Sequence, residues 1–187
     1  SQEFKYIPSR WFHYLALIIL TISCYAPIFK SGLYWSEYDQ VKRSSFQSME
    51  KWTEVWTSDV IFGHDPITLS SYFLEQTIPL SPAISHHLLN LLLHVLAAIL
   101  LLKVLESINL PGAFSASLVF ALHPVVLQTI FWSGFRSELT GLVVFLSALY
   151  MGLKNHKQLG FFIFIFISLL AYWLHPLTLF LPIILGP

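Results

Sequence analysis

The sequence predicts an all-α integral membrane protein with about five transmembrane helices and an extended polar loop after the first of them. Composition is the first support: 56% of the 187 residues are hydrophobic and the mean hydropathy is +0.68, too apolar for an ordinary soluble domain. Patterning is the second, because the 11% of residues that carry charge are gathered in a few places. The third is aromatic content. Phe, Tyr and Trp together reach 16%, as expected where such side chains anchor helix ends at the headgroup level.

The first hydrophobic segment, residues 11–29, spans about 28 Å at roughly 1.5 Å per residue, close to the hydrocarbon thickness, and Lys30 closes it. Tyr25, Pro27 and Phe29 stand where a signal-peptide cleavage site needs small residues, so the segment reads as a retained span. The single cysteine, Cys24, lies inside it, which excludes an intrachain disulfide and implies no thiol metal site. Residues 30–82 carry most of the acidic side chains and form the long loop. Within it Phe46, Met49, Trp52, Val55 and Trp56 fall at helical spacing, predicting an amphipathic helix lying on the interface. Pro66, Pro79 and Pro82 punctuate the return to the bilayer.

The second span covers 84–105, with Lys103 and Glu106 at its close, and Pro111 and Gly112 break the chain. A third span over 113–130 and a polar turn over 132–138 lead to a fourth span, 139–153. Lys154, Asn155, His156 and Lys157 form the next turn before a fifth span over 159–174, which His175 and Pro176 break. Residues 177–187 are apolar but too short to cross, and read as the start of a sixth span or a re-entrant segment.

Orientation follows from the basic residues near helix ends. Lys5 and Arg10 precede the first span, Lys103 lies at the end of the second, and Lys154 and Lys157 follow the fourth. These places share one side, so they and the N-terminal residues 1–10 are expected in the cytoplasm. A bacterial inner membrane is the expected location. Formal net charge is zero and there is no basic run, so nucleic acid is excluded as a partner.

That topology gathers polar residues on the non-cytoplasmic side: Glu37 and Asp39 in the loop with His64 and Asp65, His86 and His87 at the start of span two, then His123, Gln128, Arg136, Glu138 and His175. His87, Asn90 and His94 are spaced i, i+3, i+7 and share one helix face, with His94 about two turns into the membrane. Ionisable residues inside a span are costly and usually face the protein interior or a wet cavity. The face could hold a metal or a phosphate, or serve interhelical hydrogen bonding. His123 with Pro124 reads either as a kink and cap or as a site residue. Arg136 with Glu138 reads either as an anion-binding pair or as a local ion pair. Glu37 and Asp39 are candidate general bases or simply solvated loop acids. No zinc, nucleotide-loop or serine-hydrolase spacing is present.

The run His-His-Leu-Leu-Asn-Leu-Leu-Leu-His at 86–94, Phe-Ala-Leu-His-Pro-Val at 120–125, Trp132 with Arg-Ser-Glu-Leu at 136–139, and Pro-Ile-Thr-Leu-Ser at 66–70 together carry a family resemblance. The chain resembles the N-terminal membrane module of the tetratricopeptide-linked O-mannosyltransferase-like proteins, of the GT-C glycosyltransferase superfamily, over most of residues 30–187. The resemblance implies a GT-C-like N-terminal half and a multi-span enzyme using a polyprenyl-phosphate sugar on the non-cytoplasmic side. It further implies a loop carboxylate acting as base or metal ligand, with Arg and Lys holding the lipid phosphate.

The charged positions of that pattern are altered. Ser36 and Glu37 follow Trp35 where the family has paired aspartates, and Asp65 replaces an arginine before Pro66. Val126 and Gln128 stand where a second histidine and a glutamate are usual, and His175 and Pro176 replace a Lys-Glu pair. Electrostatically driven glycosyl transfer needs such charges to bind phosphate and accept a proton. The expectation is therefore a GT-C-derived membrane protein that has lost catalysis and acts as an accessory or structural subunit among other membrane subunits, with no cofactor. The alternative is the N-terminal part of an active transferase. There, Glu37 or Asp39 is catalytic, and His87, Asn90, His123, Arg136 and Glu138 meet substrate or lipid phosphate; a divalent metal enters only in that case.

Overall fold

The computed structural model describes residues 10–32, 70–72, 74–75, 77–132 and 135–154. All regular structure among them is helical, and three helical segments are long and apolar enough to cross a membrane: Arg10–Lys30, Pro82–Ser107 and Arg136–Lys154. The interfacial helix expected over 46–56, the fifth span over 159–174 and the segment 177–187 lie outside the described residues.

Helix α1, Arg10–Tyr25, tightens into a 3-10 turn, Ala26–Lys30, at Pro27. Its buried residues Leu17, Thr21 and Tyr25 recur every four positions and form one stripe, while Phe12, Leu15, Ile19 and Ile22 face outward. That stripe packs on α2, Pro82–Ser107, the central element of the fold. Ser81 opens α2 as its N-cap, accepting from the Ile84 amide, with Pro82 in the first turn, where a missing N–H does no harm. At the other end Asn109 takes a left-handed conformation, φ 56°. Leu110 N–H then reaches the Leu105 carbonyl at 3.0 Å and Asn109 N–H the Glu106 carbonyl at 3.1 Å, a Schellman closure that turns the chain sharply.

Residues 113–130, expected as one span, form two helices. Helix α3 covers Ala113–Leu122 and α4 covers Val126–Phe131, with His123 extended between them. Pro124 is the cause: it has no N–H to continue the ladder and biases the preceding residue away from helical geometry. The pair nonetheless runs back along α2, with Ala121 beside His94 and Ile130 beside Asn90. Helix α5, Arg136–Lys154, then runs parallel to α2, from Arg136 beside Asn90 to Tyr150 beside Lys103.

Small residues permit the close approaches. Ala97, Ala98, Ser117, Ala121 and Ala148 are fully buried, which lets helix backbones approach as membrane packing favours. Three apolar clusters result, one between α1, α2 and α3, one between α1, α2 and α4, and one between α2 and α5.

Candidate functional site

The N-terminal half of α2 carries five buried polar side chains, Ser85, His86, His87, Asn90 and His94; His94 serves the break between α3 and α4, and Asn90 the far end of α4. The break frees carbonyls that a continuous helix would use. Val125 N–H, which would otherwise reach Ala121, bonds instead to His123 Nδ1 at 3.2 Å. His94 Nε2 takes up the freed Ala121 carbonyl at 3.0 Å, so the ring proton sits on Nε2. Tyr25, from α1, donates its hydroxyl to the His123 carbonyl at 3.1 Å. Asn90 Nδ2 donates to Ile130 O at 3.1 Å, one of the terminal carbonyls of α4 that lack a helical partner. Within a bilayer no water is at hand to do this, so side chains from neighbouring helices must. The shared face of Asn90 and His94 is thus an interhelical hydrogen-bonding surface.

The second feature is a buried nest around Arg136, whose side chain is fully buried at the first residue of α5. Its Nε donates to Asn90 Oδ1 at 2.8 Å and its Nη1 to Ser71 Oγ at 3.2 Å. Its Nη2 lies 2.6 Å from His86 Nδ1 and 2.5 Å from Glu75 Oε1, the latter as an ion pair. The guanidinium carbon also sits 4.4 Å from the centre of the Tyr72 ring, which stacks on His86 at 5.9 Å. Glu75 and Tyr72 come from the helical residues just before α2, so the nest ties that segment to α2 and α5.

Electrostatics in the nest favour the charged pair. Burial on its own pushes the Glu75 carboxyl up, but hydrogen bonding with His86 and the charge of Arg136 outweigh it and hold Glu75 below the usual carboxylate value. His87 lies beside the nest, edge-on to His86, stacked on Phe131 at 5.5 Å and 3.4 Å from Ser31 Oγ through its Nε2.

Of the residues singled out by sequence, the structure brings together His86, His87, Asn90 and Arg136. His123 and Glu138 are exposed and stand apart from the nest. The local ion pair considered between Arg136 and Glu138 is not the one formed: Glu138 accepts from Ser137 Oγ at 3.2 Å, and the arginine's carboxylate partner is Glu75. Glu75 itself, one of the acidic residues of the 30–82 segment, is buried, because an arginine withdrawn from water requires a counter-charge. Ser71 and Tyr72 carried no sequence signal. Glu37, Asp39, His64, Asp65 and His175 lie outside the described residues. Among the described residues no three His, Cys, Asp or Glu side chains are grouped to hold a metal ion.

No protein-family model matches the chain, and no solved structure matches it. Among curated proteins it is similar to a protein O-mannosyl-transferase of Caenorhabditis elegans, 27% identical over 99 residues. That stretch covers 49% of this chain and 14% of the length of the relative. The similarity supports, at most, a glycosyltransferase-like relationship for a chain whose described regular structure is helical, with three helices long and apolar enough to cross a membrane.

Proposed function

We propose that the chain is a GT-C-derived membrane module that acts as a non-catalytic accessory or structural subunit of a larger membrane complex. Its N-terminus faces the cytoplasm, and it makes about five crossings, with 177–187 either starting a sixth or forming a re-entrant segment. The observation that carries this reading is the Arg136–Glu75 pair. The arginine that the resemblance would assign to a lipid phosphate is already neutralised by a buried carboxylate and bonded to Asn90, Ser71 and His86. A guanidinium so engaged holds helices together; to meet a phosphate it would have to abandon a counter-charge inside the protein. The altered charges at 36–37, 65, 126 and 128 point the same way. Loss of charge at the chemistry leaves the scaffold intact, because helix packing rests on the apolar clusters and the nest.

The experiment is purification of the full-length native protein in mild detergent, followed by assay with polyprenyl-phosphate sugars. Stoichiometric membrane partners, unchanged by Glu37→Gln with Asp39→Asn, and no sugar transfer are expected. Sugar transfer that Glu37→Gln abolishes would contradict the proposal.

The similarity to an O-mannosyl-transferase favours a second reading, the N-terminal part of an active polyprenyl-phosphate-sugar-dependent transferase. In it Glu37 or Asp39 serves as base or metal ligand, while His87, Asn90, His123 and Glu138 orient the substrate and Arg136 meets the phosphate. The same assay separates the two.

A further inference from the structure

The end of the bundle opposite the nest carries a cluster with a different chemistry. Lys103 from α2 and Lys154 from α5 each place Nζ 5.6 Å from the centre of the same ring, that of Tyr150. Lys154 Nζ also donates to the Tyr150 hydroxyl at 3.4 Å. The acid nearest in sequence to Lys103 is Glu106, and its Oε2 accepts a 2.7 Å bond from the Tyr14 hydroxyl of α1. Among the described residues neither lysine has a carboxylate within ion-pair distance. Arg10, at the start of α1, adds a further positive charge at this end, since Tyr14 one turn later is bonded to Glu106.

Two ammonium groups sharing one aromatic ring repel each other. The ring's quadrupole attracts each of them but does not cancel their charge. An anion placed between them would. The position selects the kind of anion. Lys154 lies in the last turn of α5 and Lys103 one turn before the end of α2, near the ends of two helices long and apolar enough to span, where lysines extend to the headgroup layer and tyrosines anchor at the interface.

We infer that Lys103 and Lys154, held over Tyr150, form a binding site for the phosphate of an anionic lipid headgroup at the α2–α5 seam. The lipid's acyl chains would lie along the apolar outer surface of those helices, and the phosphate would bridge the two ammonium groups. Binding would clamp α2 to α5 at the end that the Arg136 nest does not reach.

The test is native mass spectrometry of the full chain released from vesicles of phosphatidylcholine containing phosphatidylglycerol. The wild-type chain is expected to retain phosphatidylglycerol in preference to phosphatidylcholine. Lys103→Gln with Lys154→Gln should weaken that retention about twenty-five-fold, at roughly a fivefold loss for each lysine. Lys30→Gln, at the other end of α1, should leave retention unchanged and shows that net charge alone is not responsible. Equal retention by the wild type and the double variant would overturn the inference. So would displacement of the lipid by millimolar inorganic phosphate, which would assign the lysines to a soluble anion.

Discussion

Asn90 joins two helices at once: its Oδ1 accepts from Arg136 Nε at 2.8 Å while its Nδ2 donates to the Ile130 carbonyl at 3.1 Å. One amide on α2 thereby fixes the first residue of α5 and closes the short helix α4. A carboxylate at this position could meet the arginine but could not donate to the carbonyl. An aliphatic side chain could do neither.

Asn90→Leu should therefore leave two buried groups without their partner and destabilise the protein by about 1–3 kcal/mol. Thermal unfolding in detergent measures this. Asn90→Asp should recover only part of the loss, because Ile130 O still lacks its donor. Equal stability of Asn90→Leu and wild type would remove the amide from the account.

The break at His123 and Pro124 gives a separable prediction. His94→Phe removes the donor to the freed Ala121 carbonyl and Tyr25→Phe the second donor to the His123 carbonyl, and each should cost about 0.6 kcal/mol, the mean for interhelical bonds in membranes. In a Pro124→Ala background the chain regains an N–H and can extend the α3 ladder. His94→Phe should then cost less than in the wild type. The same cost in both backgrounds would show that His94 acts through packing on Phe120 and Tyr25 instead.

Acid should weaken the nest. Glu75 is held below the usual carboxylate value, with burial opposing the shift and His86 and Arg136 producing it. A depressed folded-state value means the stabilisation is fully present above the unfolded carboxylate pKa of about 4.3. It is lost as pH falls through the lower, folded value. The unfolding midpoint should therefore fall on acidification below about pH 4.3, and Glu75→Gln should flatten that part of the curve. A wild-type midpoint that does not change there would contradict the assignment.

How far the sequence led can be judged residue by residue. Spans one, two and four were legible because long apolar runs bounded by charge have few alternatives, and the structure places helices within a few residues of them. The i, i+3, i+7 pattern of His87, Asn90 and His94 identified the interior polar face of α2. Hydropathy missed the break in the third span, since apolarity continues through it; the signal was Pro124, a matter of backbone hydrogen bonding. Glu75 was missed because nothing local distinguishes a buried acid from a solvated one. Its partner Arg136 is far away in sequence, and only the parallel arrangement of α2 and α5 brings the two together.

The measurement that tests the central claim most directly is a double-mutant cycle on Glu75 and Arg136, read by thermal unfolding and by retention of a polyprenyl phosphate. Arg136→Met and Glu75→Gln should each destabilise the protein by about 3–5 kcal/mol, because either leaves one member of a buried pair uncompensated. The double variant should cost less than the two together, and retention of the polyprenyl phosphate should not depend on Arg136 in variants that remain folded. If Arg136→Met instead unfolds like the wild type and loses the lipid phosphate, the arginine is a ligand-binding residue and the architectural account fails.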